Sequence, residues 1–199
     1  MFHEISAAFE ARMRELEQID ARDRKDGTPQ SHRLRQISPE LGRFLAIMLA
    51  SAPAGRAIEI GTSAGYSTLW LLLACRETGR KITTFEISAH KAALARETFE
   101  ATGATDVIEL ICGDALDFLP GLEDIAFCFL DAEKDVYQAC YDAVIPKMRP
   151  GGLLIADNAI SHQTALQPVI DGALRDQRVD AVVVPIGKGE LLCRKRSLA

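Results

Sequence analysis

The sequence predicts an α/β protein in which a seven-stranded, mostly parallel sheet carries helices on both faces. Three observations predict it. Short apolar runs alternate with amphipathic stretches between residues 57 and 156. Acidic residues close several of those runs: Glu59 in Ala57–Gly61, Asp131 after Phe129-Leu130, and Asp157-Asn158 after Leu153–Ala156. Finally, Val182-Val183-Val184 and Leu191-Leu192 flank Gly187-Lys188-Gly189, a glycine turn that reads as a hairpin, so the last strand should run antiparallel.

Taken in order, residues 3–25 carry Ile5, Ala8, Phe9, Met13, Leu16 and Ile19 at three- and four-residue spacing, the pattern of an amphipathic helix. Asp26-Gly27-Thr28-Pro29 stops it. Its apolar face has two destinations, the domain behind it or a second copy of the chain, and the second is the basis for expecting a homodimer. A second helix opens at Ser38-Pro39-Glu40 and presents Leu41, Phe44, Leu45, Met48 and Leu49. Strands are predicted over 57–60, 81–86, 107–112, 125–130, 152–156, 179–186 and 189–195. Helical stretches between the first five begin near Tyr66, Ser88, Ala115 and Lys134. Right-handed crossovers then bring the carboxyl ends of the parallel strands to one edge, where residues distant in sequence converge.

Composition narrows the partners. The 199 residues hold 23 basic and 28 acidic side chains, and only Arg194-Lys195-Arg196 clusters, so nothing tracks a phosphate backbone and nucleic acid is not expected. The longest apolar stretch, Leu69–Cys75, is too short to span a membrane, and the start of the chain lacks a basic-then-apolar signal. A cytoplasmic location without membrane attachment is the expectation. Five cysteines, odd in number and without a C-x-x-C spacing, read as buried free thiols.

Gly61-Thr62-Ser63-Ala64-Gly65 lies between a predicted strand and a predicted helix, where glycine lets a ligand approach the backbone and the helix start offers unpaired N–H groups. The same residues fit a tight turn with no ligand. A dinucleotide fingerprint is disfavoured, because Ser63 and Tyr66 stand where its second and third glycines belong. The five residues also match G-x-S-x-G, the nucleophile elbow of serine hydrolases, with Ser63 as nucleophile and Asp131 or Asp157 plus His162 following. That reading ranks behind, since no upstream strand and loop supplies a second oxyanion donor. Glu86 ends the second strand, where nucleotide-binding α/β domains place a carboxylate on ribose hydroxyls; its alternative role is an anion at a helix start.

Asp131 through Tyr137 and Asp157-Asn158 follow neighbouring strands. Two carboxylates and an amide form a hard oxygen set suited to Mg²⁺, Mn²⁺ or Ca²⁺. Individually, Asp-Asn is a common turn pair and Asp131 a potential helix cap.

Glu59-Ile60-Gly61 with Gly65-Tyr66-Ser67, the Asp131-x-x-Lys134-Asp135-x-Tyr137 segment, and Pro150-Gly151-Gly152 through Asp157-Asn158 together resemble the cation-dependent O-methyltransferases, the catechol and caffeoyl-CoA type, from about Gln36 to Lys195. The resemblance implies a Rossmann-like methyltransferase domain over residues 37–199 behind a helical extension of residues 1–36. It implies S-adenosylmethionine over the glycine turn, with Glu59, Gly61 and Ser67 near its methionine portion, Glu86 on its ribose, Asp114 and Ala115 beside its adenine, and Ile37 and Ser38 closing over it. Asp131 would border the cofactor and, with Asp157 and Asn158, carry a divalent cation, most simply Mg²⁺. Lys134 matches the general base, and the acceptor would be a small molecule with adjacent oxygens. A metal-independent methyltransferase and a non-catalytic cofactor-binding protein are the alternatives on the same fold.

The chain also departs from the family. Where members often carry tryptophan and glycine after Asp-Asn, it reads Ala159-Ile160-Ser161-His162-Gln163, and its one tryptophan, Trp70, falls in a helix. An aromatic wall for the acceptor is therefore not expected. His162 reads as a surface-loop residue, His3, His32 and His90 share no ligand spacing, and Tyr137 needs no catalytic role.

Overall fold

The sheet is built from β1 (Arg56–Ile60), β2 (Ile82–Glu86), β3 (Ile108–Cys112), β4 (Ile125–Leu130), β5 (Met148–Ala156), β6 (Val179–Val184) and β7 (Glu190–Lys195), in the spatial order β3-β2-β1-β4-β5-β7-β6. The first five strands pair in parallel, and β7 inserts antiparallel between β5 and β6, so six strands run one way and the last runs against them. This computed structural model describes residues 1–197; residues 198 and 199, the end of the predicted domain range, lie outside the described residues.

Helices α1 (Ala7–Asp23), α2 (Pro39–Ser51), α3 (Tyr66–Thr78), α4 (Ala89–Ala101), α5 (Ala115–Phe118), α6 (Tyr137–Val144) and α7 (Gln163–Arg175) cover both faces. Their starts follow local chemistry: Ser6, Ser38, Ser88 and Asp114 each accept a backbone N–H from the first turn. The core divides between the two faces of the sheet. On one, α1, α2 and α3 pack Phe9, Leu16, Leu45 and Leu69 beside Phe127 and Phe129; on the other, α6 and α7 pack Tyr141, Val144, Leu166 and Ile170 beside Cys128 and Leu154.

The amphipathic face of α1 turns back onto its own chain, burying Phe9, Met13 and Leu16, while Glu17 accepts a 2.6 Å hydrogen bond from the Tyr66 hydroxyl. Trp70 is buried between Phe2, Tyr66 and Arg43. Three expectations are corrected. β5 begins at Met148 rather than 152, with its pairing to β4 interrupted at the Pro150-Gly151 break. The helix predicted at Lys134 begins as a 3-10 turn over Lys134–Val136 before α6. Cys112 is exposed, because β3 is an edge strand; the other four cysteines are buried and free. Among the described residues, no helix is long and apolar enough to cross a membrane.

The carboxyl ends of the central strands are in register: Ile60 pairs with Leu130 and Leu130 with Ala156. The ladder runs one residue further, with Asp131 N–H donating to Ile60 C=O at 2.9 Å and Asp157 N–H donating to Leu130 C=O at 3.0 Å. Gly61 is fixed here. Its φ is +100°, and a Cβ would stand 2.1 Å from the Asp131 carbonyl oxygen. We expect Gly61→Ala to lower the unfolding free energy by about 3 kcal/mol or more, combining left-handed strain with a backbone clash. Urea denaturation measures this, and a loss below about 1 kcal/mol contradicts the close approach.

Candidate active site

A cavity of about 1060 Å³ opens above those strand ends. Of the residues assigned from sequence, Ile37, Gly61, Ser67, Glu86, Asp114, Ala115, Asp131, Lys134 and Asn158 line it, and so does His162, which is exposed at the start of α7. Glu59 and Asp157 are buried outside the lining, and Ser38 is spent on capping α2.

The glycine turn is held from below and from the side. Glu59, fully buried, accepts from the Thr68 hydroxyl at 2.5 Å and the Thr84 hydroxyl at 2.6 Å; its Oε1 has no partner. Burial pushes its pKa up to about 7 against the pull of Ser67, Thr68 and Thr84. Glu86 Oε2 accepts from Ser63 N–H at 2.7 Å and Oε1 from Ser88 N–H at 2.8 Å, so the helix-start role is real, and the carboxylate also ties the turn to β2. Ser63 has φ +50°, the left-handed backbone of an elbow nucleophile, but its hydroxyl donates to the Leu34 carbonyl at 2.9 Å and no histidine hydrogen-bonds to it among the described residues. The hydrolase reading therefore lacks its base.

Residues 30–37 line the cavity as one continuous strap. Leu34 receives the Ser63 hydroxyl, Gln36 N–H donates to Asp20 Oδ1 at 3.1 Å, and Arg35 ion-pairs with Glu133 on the loop after β4.

On the same loop after β4, Lys134 Nζ donates to Asp131 Oδ1 at 3.2 Å, the Ala132 carbonyl at 2.8 Å and the Tyr137 hydroxyl at 2.7 Å. It is not a solvated charge. Tyr137, buried, contacts the carbonyls of Leu130 at 3.3 Å and Asp157 at 3.2 Å, so it braces the ends of β4 and β5. Asp157 Oδ1 accepts from Asn158 N–H at 2.6 Å, and Asn158 sits at φ +72° with its Nδ2 buried and without an acceptor.

Sequence reasoning missed Glu190. The antiparallel pairing of β5 with β7 ends at Ala156–Leu191, so one step further Asp157 faces Glu190. Glu190 is fully buried, and apart from the neighbouring Asp157 carboxyl nothing is placed to hydrogen-bond its two oxygens. Burial and the neighbouring Asp157 raise its pKa far above the carboxylate range; burial and Asp157 also raise that of Asp131. A charged residue opening the otherwise apolar run Leu191-Leu192-Cys193 was the available signal, but its neighbour is set by non-local pairing.

The donor set fits a hard divalent cation. Asp131 and Asp157 repel one another, Glu190 adds a third carboxyl group that forms no ion pair among the described residues, and the Asn158 amide lies beside them. Among the described residues, no three His, Cys, Asp or Glu side chains are arranged to hold a metal by themselves, so such a site needs the amide.

Fold and site together define the methyltransferase class of α/β domain: a seven-stranded sheet with a reversed last strand and a glycine turn after β1. The O-methyltransferase family model matches residues 3–196, and the chain belongs to that family, whose members are S-adenosylmethionine-dependent enzymes of the catechol and caffeoyl-CoA type. It is 33% identical over 149 residues to a catechol O-methyltransferase of Niastella koreensis, covering 70% of this chain and 67% of that one. It is 29% identical to a caffeoyl-CoA O-methyltransferase of Eucalyptus gunnii, covering 94% and 82%. The crystal structure of an O-methyltransferase from Bacillus cereus, in complex with SAH, superposes with a TM-score of 0.77 at 26% identity, covering 94% and 91%.

The raised carboxyl groups dictate a pH response. A carboxyl whose folded pKa lies above its unfolded value contributes stability that is complete below about pH 4 and is lost as pH rises through the folded pKa. Glu59 titrates at about 7, and Asp131 and Glu190 shift in the same direction. With chelator present, Tm should fall by roughly 5 °C or more between pH 5 and pH 8, and Glu190→Gln should raise Tm at pH 8 and flatten the slope. A Tm that rises over this range, or a Glu190→Gln protein less stable at pH 8, contradicts the assignment.

Proposed function

We propose that the protein transfers the S-adenosylmethionine methyl group to one hydroxyl of a small acceptor with adjacent oxygens, assisted by a divalent cation at Asp131, Asp157 and Asn158. The observation that carries this reading is the in-register approach of Asp131 and Asp157 beside Asn158, whose buried side-chain amide is not committed to any partner within the chain. We take residues 37–199 as the catalytic domain and residues 1–36 as the appendage that delivers the strap.

The thermodynamic need is specific. A phenol with a pKa of about 10 is ionised in roughly one molecule per thousand at pH 7, a handicap of about 4 kcal/mol. S-adenosylmethionine supplies an electrophilic methyl group, and a divalent cation supplies the charge that lowers the pKa of a nearby hydroxyl.

The chain's own residues do the rest. Residues 61–65 offer a backbone that a ligand can approach, above Glu59, whose unpaired Oε1 is suited to an ammonium group. Glu86 keeps a second lone pair on each oxygen for a ribose diol. In this reading Asp114 and Ala115 take the adenine, Ser67 the methionine portion, and Ile37 closes over the cofactor; all four line the cavity. Asp131, Asp157 and Asn158 would hold the cation, and the cation would in turn position the two acceptor oxygens. Lys134 Nζ, held beside Asp131 Oδ1, the Ala132 carbonyl and the Tyr137 hydroxyl, is the site at which the hydroxyl proton arrives, which it can accept only as the neutral amine, its own third proton having left to solvent beforehand.

Incubation with S-adenosylmethionine and a panel of vicinal diphenols tests the reading. Methylation should be lost with EDTA and restored by Mg²⁺, and Asp157→Asn should lower kcat/KM by about 100-fold or more while cofactor affinity changes less than about 3-fold. Activity indifferent to EDTA leaves the metal-independent methyltransferase; cofactor binding without transfer to any acceptor leaves the non-catalytic protein.

A further inference from the structure

The acceptor side of the cavity has walls whose chemistry the family membership does not specify. One wall is the segment after Asn158, and it is clamped to the β6–β7 turn: Ala159 N–H donates to the Gly189 carbonyl at 2.7 Å, and Ile160 and Ser161 N–H groups donate to the Lys188 carbonyl at 3.1 and 2.9 Å. Gly189 permits the contact, since a Cβ there would stand 2.3 Å from the Ile160 side chain. Lys188 is therefore carried on a rigid turn. It is half-buried, lines the cavity, acts electrostatically on Asp131 and forms no ion pair among the described residues.

The other cations of the cavity behave differently. Arg24, Arg35 and Lys134 are each paired with a carboxylate, to Asp20, Glu133 and Asp131, and Arg33, without an ion pair among the described residues, donates its Nε to the Thr28 carbonyl at 2.7 Å. Lys91 forms no ion pair among the described residues, yet it lies beside Glu86 on the cofactor side, at the start of α4. No tryptophan lines the cavity, so a planar acceptor has no indole to stack on. An ammonium without an ion-pair partner, carried into a cavity on a turn whose backbone is held, selects a negatively charged partner.

We propose that the acceptor carries a carboxylate, or another anionic group, in addition to its adjacent hydroxyls, and that Lys188 is the residue that selects it. This rests on the O-methyltransferase reading above. The hydroxyl pair would sit at Asp131 and Asn158 while the anionic group reaches the β6–β7 turn, which orients the acceptor and decides which hydroxyl faces the methyl group.

The test compares 3,4-dihydroxybenzoate, 3,4-dihydroxybenzamide and 3,4-dihydroxybenzylamine as acceptors with the Mg²⁺-loaded wild type, Lys188→Gln, Lys188→Arg and Lys91→Met. The wild type should prefer acid over amide by roughly 10-fold in kcat/KM, the worth of one charge-assisted hydrogen bond, and amide over amine. Lys188→Gln should bring the acid-to-amide ratio to within about 2-fold of unity, Lys188→Arg should keep it, and 0.5 M salt should reduce it in the wild type. Comparing ratios between variants cancels the rings' intrinsic acidities. Equal use of the three acceptors by the wild type, or a preference abolished by Lys91→Met and kept in Lys188→Gln, overturns the proposal and leaves the methyltransferase reading standing. Methylation of none of the three, with other vicinal diphenols accepted, also overturns it; failure on every diphenol removes the underlying reading as well.

Discussion

The site depends on one constraint: parallel strands that end in register place the residues that follow them side by side, and here those residues are acids. Asp131 and Asp157 follow β4 and β5 by one ladder step, and the inserted strand β7 brings Glu190 opposite Asp157. Three carboxyl groups in a low-dielectric corner repel one another, and burial penalises each charge further. Such an arrangement costs stability unless protons or a cation neutralise it. The surrounding structure tolerates it because Tyr137 and Lys134 brace the same strand ends from the α6 side.

The N-terminal extension is coupled to this corner. Helix α1 is anchored through its apolar face and the Glu17–Tyr66 hydrogen bond, and the strap that follows it reaches the Asp131 loop through Arg35 and Glu133. A helix that adds to the hydrophobic core thus also fixes a segment that lines the cavity.

Much of this was legible in the sequence. Alternation of apolar strand and amphipathic helix gave the order of elements, the Gly187-Lys188-Gly189 turn gave the reversed last strand, and acids at strand ends gave the site's location. What escaped has physical reasons. The early start of β5 was hidden by Pro150-Gly151, residues that ordinarily break a strand. The strap residues have no periodicity, since loops are placed by tertiary contacts rather than by pattern. The exposure of Cys112 follows from β3 lying at the sheet edge, a property of strand order. Glu190 becomes Asp157's neighbour only through pairing between strands thirty-odd residues apart, as the Ala156–Leu191 contact records.

The most direct measurement is calorimetric titration of Mn²⁺ into the protein saturated with S-adenosylhomocysteine. The account predicts one ion per chain, lost in Asp131→Asn and Asp157→Asn and retained in Asp135→Asn, whose carboxylate lies on the same loop but is exposed. No binding by the wild type, or binding that survives Asp157→Asn unchanged, would contradict it.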